Sequence, residues 1–288
     1  MTEGRRFALV DVLPERVFRA QRLPGARRAT VYEVTFLDQI KELGLNPKEP
    51  VVLYGAGEDA LDSSVAAEKL DRAGFQQIFD FRGGRAEWAQ MGGRFEGDGM
   101  LPPSPQPPAD RRYSVDPEQS RIEWIGRNLN TTHHGTIRVE SGHITVSEGA
   151  LVDGQVTLDM RTVDNDSVAD PTLHGVLNHH LKSDDFFYVE RYPTAELKIR
   201  SAQPLAGATP GTPNFQFQAD LKIKDVTREI VFSAIVACGE DGAFASVAQI
   251  EIDRTEWGVI YGSGRFFKML GMHLVNDAIT LLVKLIAR

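Results

Sequence analysis

The sequence predicts a two-domain chain: an α/β half built on a parallel sheet, then an all-β antiparallel half of about eight strands. Three observations carry this. Over residues 1–97, strand-like apolar runs alternate with helix-like runs closed by glycine. From residue 111 to 288, apolar and polar side chains alternate with a period of two. Between the halves, residues 98–110 hold five of the 15 prolines, and a stretch with fixed φ and few N–H donors favours an extended, semi-rigid tether.

In the first half, strands are expected at 7–12, 51–54 and 77–81. Helices are expected at 14–20, 35–43, 63–73 and 85–91, with Gly44, Gly74 and Gly92 as stops. Pro14 opens its helix where a fixed φ and a missing N–H cost nothing. Continuous apolar strands alternating with helices imply a parallel sheet covered on both faces.

The second half changes period. Residues 215–224 place five apolar side chains on one face and five polar ones on the other, as a half-buried strand requires. Residues 155–160, 195–200, 249–253 and 278–284 repeat that alternation, and 229–237 are apolar on both faces. Adding 120–125, 136–140 and 143–146 gives roughly eight strands, the number at which a closed barrel is just wide enough for one ligand. Periodicity alone leaves a barrel and a sandwich open.

Composition limits the function. A chain of 288 residues, 42% hydrophobic and 25% charged, supports two cores. A net charge of −8 disfavours nucleic acid and anionic membrane surfaces as partners. A single cysteine allows no intramolecular disulfide, and no Cys-x-x-Cys is present for zinc. With no apolar leader at 1–6 and no run approaching membrane-spanning length, a cytoplasmic protein is expected.

In the first half, Asp11-Val12 with Pro14-Glu15, Leu23-Pro24-Gly25-Ala26, Ala73-Gly74-Phe75, Gly83-Gly84 and Glu87-Trp88 occur in the order found in rhodanese-like domains, and residues 1–97 resemble that family. The resemblance implies a three-layer fold and an active-site loop presenting a thiolate nucleophile. Here the loop Gly55-Ala56-Gly57-Glu58-Asp59-Ala60-Leu61-Asp62 has neither Cys nor Arg, and carries three acids. Gly55 or Gly57 stands at the lost nucleophile position, so no catalytic residue is expected, nor sulfur transfer. Ser63 and Ser64 are read as helix N-cap and first-turn residues, because this half has no histidine to serve as their base. Cys238, in the other half, is read as a buried inert thiol.

In the second half, Tyr113-Ser114-Val115-Asp116-Pro117, His180-Leu181-Lys182-Ser183-Asp184-Asp185-Phe186-Phe187, Tyr192-Pro193-Thr194, 219–227 and Asp253-Arg254-Thr255-Glu256-Trp257-Gly258 closely resemble the YceI-like family. The resemblance spans 111–288 and implies a lipocalin-like antiparallel barrel, some members of which bind long isoprenoid lipids inside. Gln119 stands where that family usually has histidine, and the family's common secretion signal is absent.

A lumen of this kind needs apolar walls that leave room. Phe215, Phe217, Leu221, Phe232 and Ile250 are the chosen wall residues, with Ile230, Val236, Ile252, Ile279, Leu281 and Val283 as further candidates. His134, His180, Phe186, Trp257 and Arg265 complete the expected ligand-binding set, with Arg254 and Arg265 read as structural or head-group-binding. His133, His134, His174, His179 and His180 are weak metal candidates, joined by Asp170, Asp184 or Asp185. No His-x-His pair occurs, and no His-x-x-x-His is expected on a helix, so these histidines are read as loop or mouth side chains bonded to a head group or water.

The favoured function is a binding protein for an apolar or amphipathic small molecule, an isoprenoid or quinone-like lipid, with no other cofactor. The rhodanese-like half would then be a silent module for an unknown protein partner, in a chain that could form a homodimer. A metal- or histidine-dependent enzyme at the barrel mouth and a ligand-free stress-response interaction protein are the alternatives.

Overall fold

The computed structural model describes residues 7–101, 107–239 and 241–288. The chain divides into two compact units between residues 104 and 105. The expected leaderless start at 1–6, the centre of the proline-rich stretch at 102–106 and Glu240 lie outside the described residues.

The first unit runs β1 (Ala8–Asp11), α1 (Glu15–Ala20), β2 (Arg27–Arg28), α2 (Phe36–Glu42), β3 (Val51–Tyr54), α3 (Asp62–Arg72), β4 (Ile78–Phe81) and α4 (Gly84–Gln90). Its sheet is parallel throughout, in the order β2-β1-β3-β4. Val10, Val12, Phe36, Ile40, Leu53 and Leu70 form its core. Helix α3 ends as the sequence suggests: Gly74, at φ 88°, donates to Asp71 O, and Phe75 donates to Leu70 O. This Schellman closure needs the left-handed φ that glycine adopts freely, and it turns Phe75 into the core. The two-residue β2 was too short for a periodic signal.

Both ends of the proline-rich stretch are held. Asp98 N and Gly99 N donate to Arg19 O and Ala20 O at 3.2 and 2.8 Å. At the far end, the Asp110 carboxylate accepts from the N–H groups of Glu148 and Gly149, each at 2.8 Å.

The second unit runs β5 (Arg111–Ser114), β6 (Arg121–Arg127), β7 (Thr132–Ser147), β8 (Ala150–Asn165), α5 (Pro171–Lys182), β9 (Thr194–Pro204), β10 (Phe215–Ile223), β11 (Val226–Cys238), β12 (Phe244–Asp253) and β13 (Ala278–Ala287). Strands β7-β6-β13-β12-β11-β10-β9-β8 lie side by side, and β8 pairs with β7 to close an eight-stranded antiparallel barrel. β5 adds to β7 from outside that ring.

Two sequence readings change here. Residues 136–140 and 143–146 belong to one strand, β7. Val139 and Ile144 are buried on either side of the exposed pair Glu140 and Ser141, and the register against β8 shifts between Val139 and Ser141. That bulge moves the buried set from odd to even positions, which reads from sequence as a break. The histidine-rich segment is α5 rather than a loop. Asp170 caps it by accepting from Thr172 N and Leu173 N, and Pro171 occupies its first turn.

Candidate ligand-binding site

The alternation that closes the barrel also points its apolar side chains inward, and they do not fill it. One cavity of about 160 Å³ lies among Trp124, Ile137, Met160, Leu177, Leu181, Phe186, Phe187, Ile252 and Val259. A second of about 90 Å³ lies among Ile144, Val156, Ile199, Phe217, Ile230, Phe232, Phe244 and Ile250. Ile122, Leu158, Leu221 and Leu281 line both cavities, so the two adjoin across shared walls. An apolar void of roughly 150 Å³ is enough to bind benzene and stays dry when empty. These cavities are thus sized for a slender apolar chain or ring rather than a bulky polar ligand.

The first cavity carries its few polar groups in Arg127, Asn128, His133 and Arg254. Arg254 is 4% exposed, and its guanidinium donates to the carbonyls of Asn276, Val259 and Val275 at 3.0, 2.6 and 3.1 Å. It holds the β12–β13 connection together, and burial pushes its pKa down. Arg127 is exposed and has one side-chain bond, to Thr280 Oγ1 at 3.1 Å, leaving its other donors without partners among the described residues. Asn128 spends its carbonyl oxygen on Asn130 N and Thr131.

Of the expected wall residues, Phe217, Leu221, Phe232 and Ile250 line the second cavity. Phe217 and Phe232 stack at 5.2 Å. Phe215 packs on Phe217 at 6.2 Å without lining either space. Among the further candidates, Val236 is buried but lines neither.

The rest of the expected ligand-binding set separates. Phe186 lines the first cavity. His134 is exposed, whereas its neighbour His133 lines the cavity, because successive side chains on β7 face opposite ways. His180 bonds Asp185 at 3.1 Å and stands edge-on to Phe186 and Tyr261. Trp257, 1% exposed, donates to Leu221 O at 2.9 Å and belongs to the packed core. Arg265 donates to Asp253 and Thr255 at 3.0 and 2.9 Å, fastening its loop.

The metal candidates do not converge. His174 meets Asp164 at 3.1 Å, and His133 meets Ser167 at 3.0 Å. Asp164 is partly buried, which opposes ionisation, yet bonds from Asn178 and Asn165 N hold its carboxyl below the usual range. Among the described residues, no group of three or more His, Cys, Asp or Glu is placed to share an ion.

Trp124, Met160, Leu177 and Leu181 were not singled out from sequence. Leu177 and Leu181 carried a readable sign, an i, i+4 apolar pair, but only within a helix that was not foreseen.

In the first unit, the loop after β3 is closed from within. Asp62, 6% exposed, accepts from Ala56 N at 2.7 Å. A Cβ at Gly55 would lie 2.2 Å from Asp62 Oδ2, and one at Gly57 would lie 3.0 Å from Ala86 Cβ. Arg85 N and Ala86 N tie the loop to α4 through Gly55 O and Ala56 O, each at 3.0 Å. Ser63 is 2% exposed in the first turn of α3, and Ser64 Oγ donates to Leu61 O at 3.0 Å. The N-cap position itself is Leu61. Nearby, burial raises the carboxyl of Asp11 and the phenol of Tyr54, which share a hydrogen bond.

Comparison with known proteins agrees with both halves. A YceI-like domain model matches residues 113–287, and a rhodanese-like domain model matches residues 1–91. Among solved structures, BcnA of Burkholderia cenocepacia is 19% identical, covering 60% of this chain and 99% of its own, at a TM-score of 0.47. A polyisoprenoid binding domain from Saccharophagus degradans, implicated in plant cell wall breakdown, is 14% identical, covering 61% and 97%, at 0.43. The rhodanese-like domain of Alr3790 from Anabaena sp. is 26% identical, covering 32% and 99%, at 0.29. The adenylyltransferase and sulfurtransferase UBA4 of Meyerozyma guilliermondii is 32% identical over 84 residues, 28% of this chain; the chain spans only 19% of that curated relative.

Proposed function

The chain belongs to the YceI-like family, and on that footing we propose that it carries an apolar or amphipathic small molecule, an isoprenoid or quinone-like lipid, inside its barrel. The observation that supports this most is the pair of adjoining apolar cavities, about 160 and 90 Å³, which leave unfilled the place where a packed core would put side chains. Natural interiors hold few voids larger than a water molecule, because empty space forfeits dispersion contacts on every wall. Each five-carbon isoprene unit withdrawn from water gains on the order of 4 kcal/mol, so affinity should climb with chain length until the lumen is full. The polar groups of the first cavity would then meet the head of the molecule.

The rhodanese-like unit serves, in this reading, as a non-catalytic module for interaction or regulation. Its loop offers Asp62 where a thiolate would need electropositive surroundings.

Thermal unfolding of the full chain with prenyl compounds of increasing length tests the carrier function. A melting temperature that rises with ligand concentration, by mass action, and with chain length up to a limit supports it. No shift with any prenyl or quinone compound refutes it.

A further inference from the structure

His133 stands at the polar end of the first cavity, and its hydrogen bonds fix which way it can read a ligand. Ser167 N donates to Asn165 Oδ1 at 3.1 Å. A backbone N–H can only donate, so the amide atom it meets must be oxygen, which sets the orientation of the fully buried Asn165. Ser167 Oγ lies 2.5 Å from that same oxygen. An amide oxygen can only accept, so the serine hydroxyl proton is committed to it. The Ser167 oxygen is then left to accept, and what faces it is His133 Nδ1, at 3.0 Å. Neutral His133 therefore carries its proton on Nδ1. Nε2 is a bare lone pair with no protein partner among the described residues, on a side chain that lines the cavity.

Resting on the carrier reading above, we infer that His133 is the specificity-determining residue for the ligand's head. It accepts a hydrogen bond from an O–H group, so the cavity takes a prenyl chain ending in a hydroxyl, as in a phenol or hydroquinone, in preference to the corresponding quinone or ether. A quinone offers only acceptors and would set a lone pair against the lone pair of Nε2. An ether would leave that nitrogen buried and unpaired. Sites built to bond a substrate hydroxyl reject analogues that lack it, because the site's own polar group is stranded.

The test measures dissociation constants of the full chain for a prenyl hydroquinone, its dimethyl ether and the matching quinone, using Trp124, which lines the cavity, as a fluorescent reporter. The hydroquinone should bind about tenfold more tightly than the ether, the scale of one hydrogen bond left unmade. His133→Phe should bring that ratio to about one while keeping the ether's affinity. Ser167→Ala releases the ring to place its proton on either nitrogen, and should narrow the ratio between hydroquinone and quinone. Nitrogen-15 shifts of the neutral His133 ring should show the proton on Nδ1. A ratio near one in the unaltered chain, discrimination that survives His133→Phe, or a proton found mainly on Nε2 would each overturn the assignment. Should hydroquinone and ether bind equally well, the head-group assignment alone falls; should none of the three bind, the carrier reading falls with it.

Discussion

In the first unit, the loop that in related domains would hold a reacting group is filled by the chain's own carboxylate, Asp62 on Ala56 N; in the second, the interior keeps open space between Trp124 and Phe232. The contrast lies in what each backbone surrounds. The loop of the first unit ends a buried strand, so one side chain six residues on can fold back and satisfy its N–H. A closed ring of eight strands has a circumference set by strand number, and here its inward side chains leave the centre unfilled. A single contact, Ala56 N on Asp62, occupies the first loop, whereas filling the second interior would need a coordinated change of many walls.

The largest expected effect concerns sulfur transfer. Sulfur transfer from thiosulfate to cyanide should stay at background, and Gly55→Cys should not restore it, because its Cβ would sit 2.2 Å from Asp62 Oδ2. The same variant should destabilise the first unit, and adding Asp62→Ala should recover the stability. Turnover that survives Cys238→Ser would break the contrast by showing a route independent of the only cysteine.

Next comes the wall. Phe217 is 3% exposed and stacks on Phe232, so Phe217→Ala should cost about 3 kcal/mol and shift the preferred prenyl chain to a greater length. A destabilised variant with unchanged ligand preference would mean that Phe217 belongs to a filled core.

A filling substitution sharpens the comparison further. Ala195 is 3% exposed and lines the first cavity. If the space is open, Ala195→Leu should leave the ligand-free protein within about 1 kcal/mol of the original and weaken prenyl binding at least tenfold; a packed core would lose about 1–3 kcal/mol to overpacking.

The smallest effect is in acid. Asp153, bonded to His143, and Asp159, bonded to Arg161, both have carboxyls held below the usual 3.8. Such groups contribute stability above their unfolded value and lose it as pH falls through the lower folded one. Asp11 in the first unit is raised by burial, so its contribution is complete below 3.8 and declines as pH climbs through its folded value. Unit-resolved hydrogen exchange between pH 3 and 6 should show these contributions with opposite slopes. Asp11→Asn should remove the slope in the first unit alone.

The sequence made the alternation of β10 and the glycine stop at Gly74 legible, because each is a local property of spacing or backbone. The expectation of a missing nucleophile at Gly55 or Gly57 likewise rests on local sequence, a loop without cysteine. Asp62 as the occupant of that loop was not legible, since the contact depends on how the loop folds back. The choice of His133 over His134 was lost for a similar reason: neighbouring residues on a strand differ only in the face they take, and the phase is set by pairing with β6 and β8. Leu177 and Leu181 were hidden because the capping pair Asp170-Pro171 was not read as a helix start.

Native mass spectrometry of the full chain, followed by organic extraction of the same sample, tests the central claim most directly. The predicted result is an added mass lost on denaturation and recovered in the extract as a prenyl compound. A spectrum of bare chain and an empty extract, from protein that also fails to take up added prenyl hydroquinone, would contradict it.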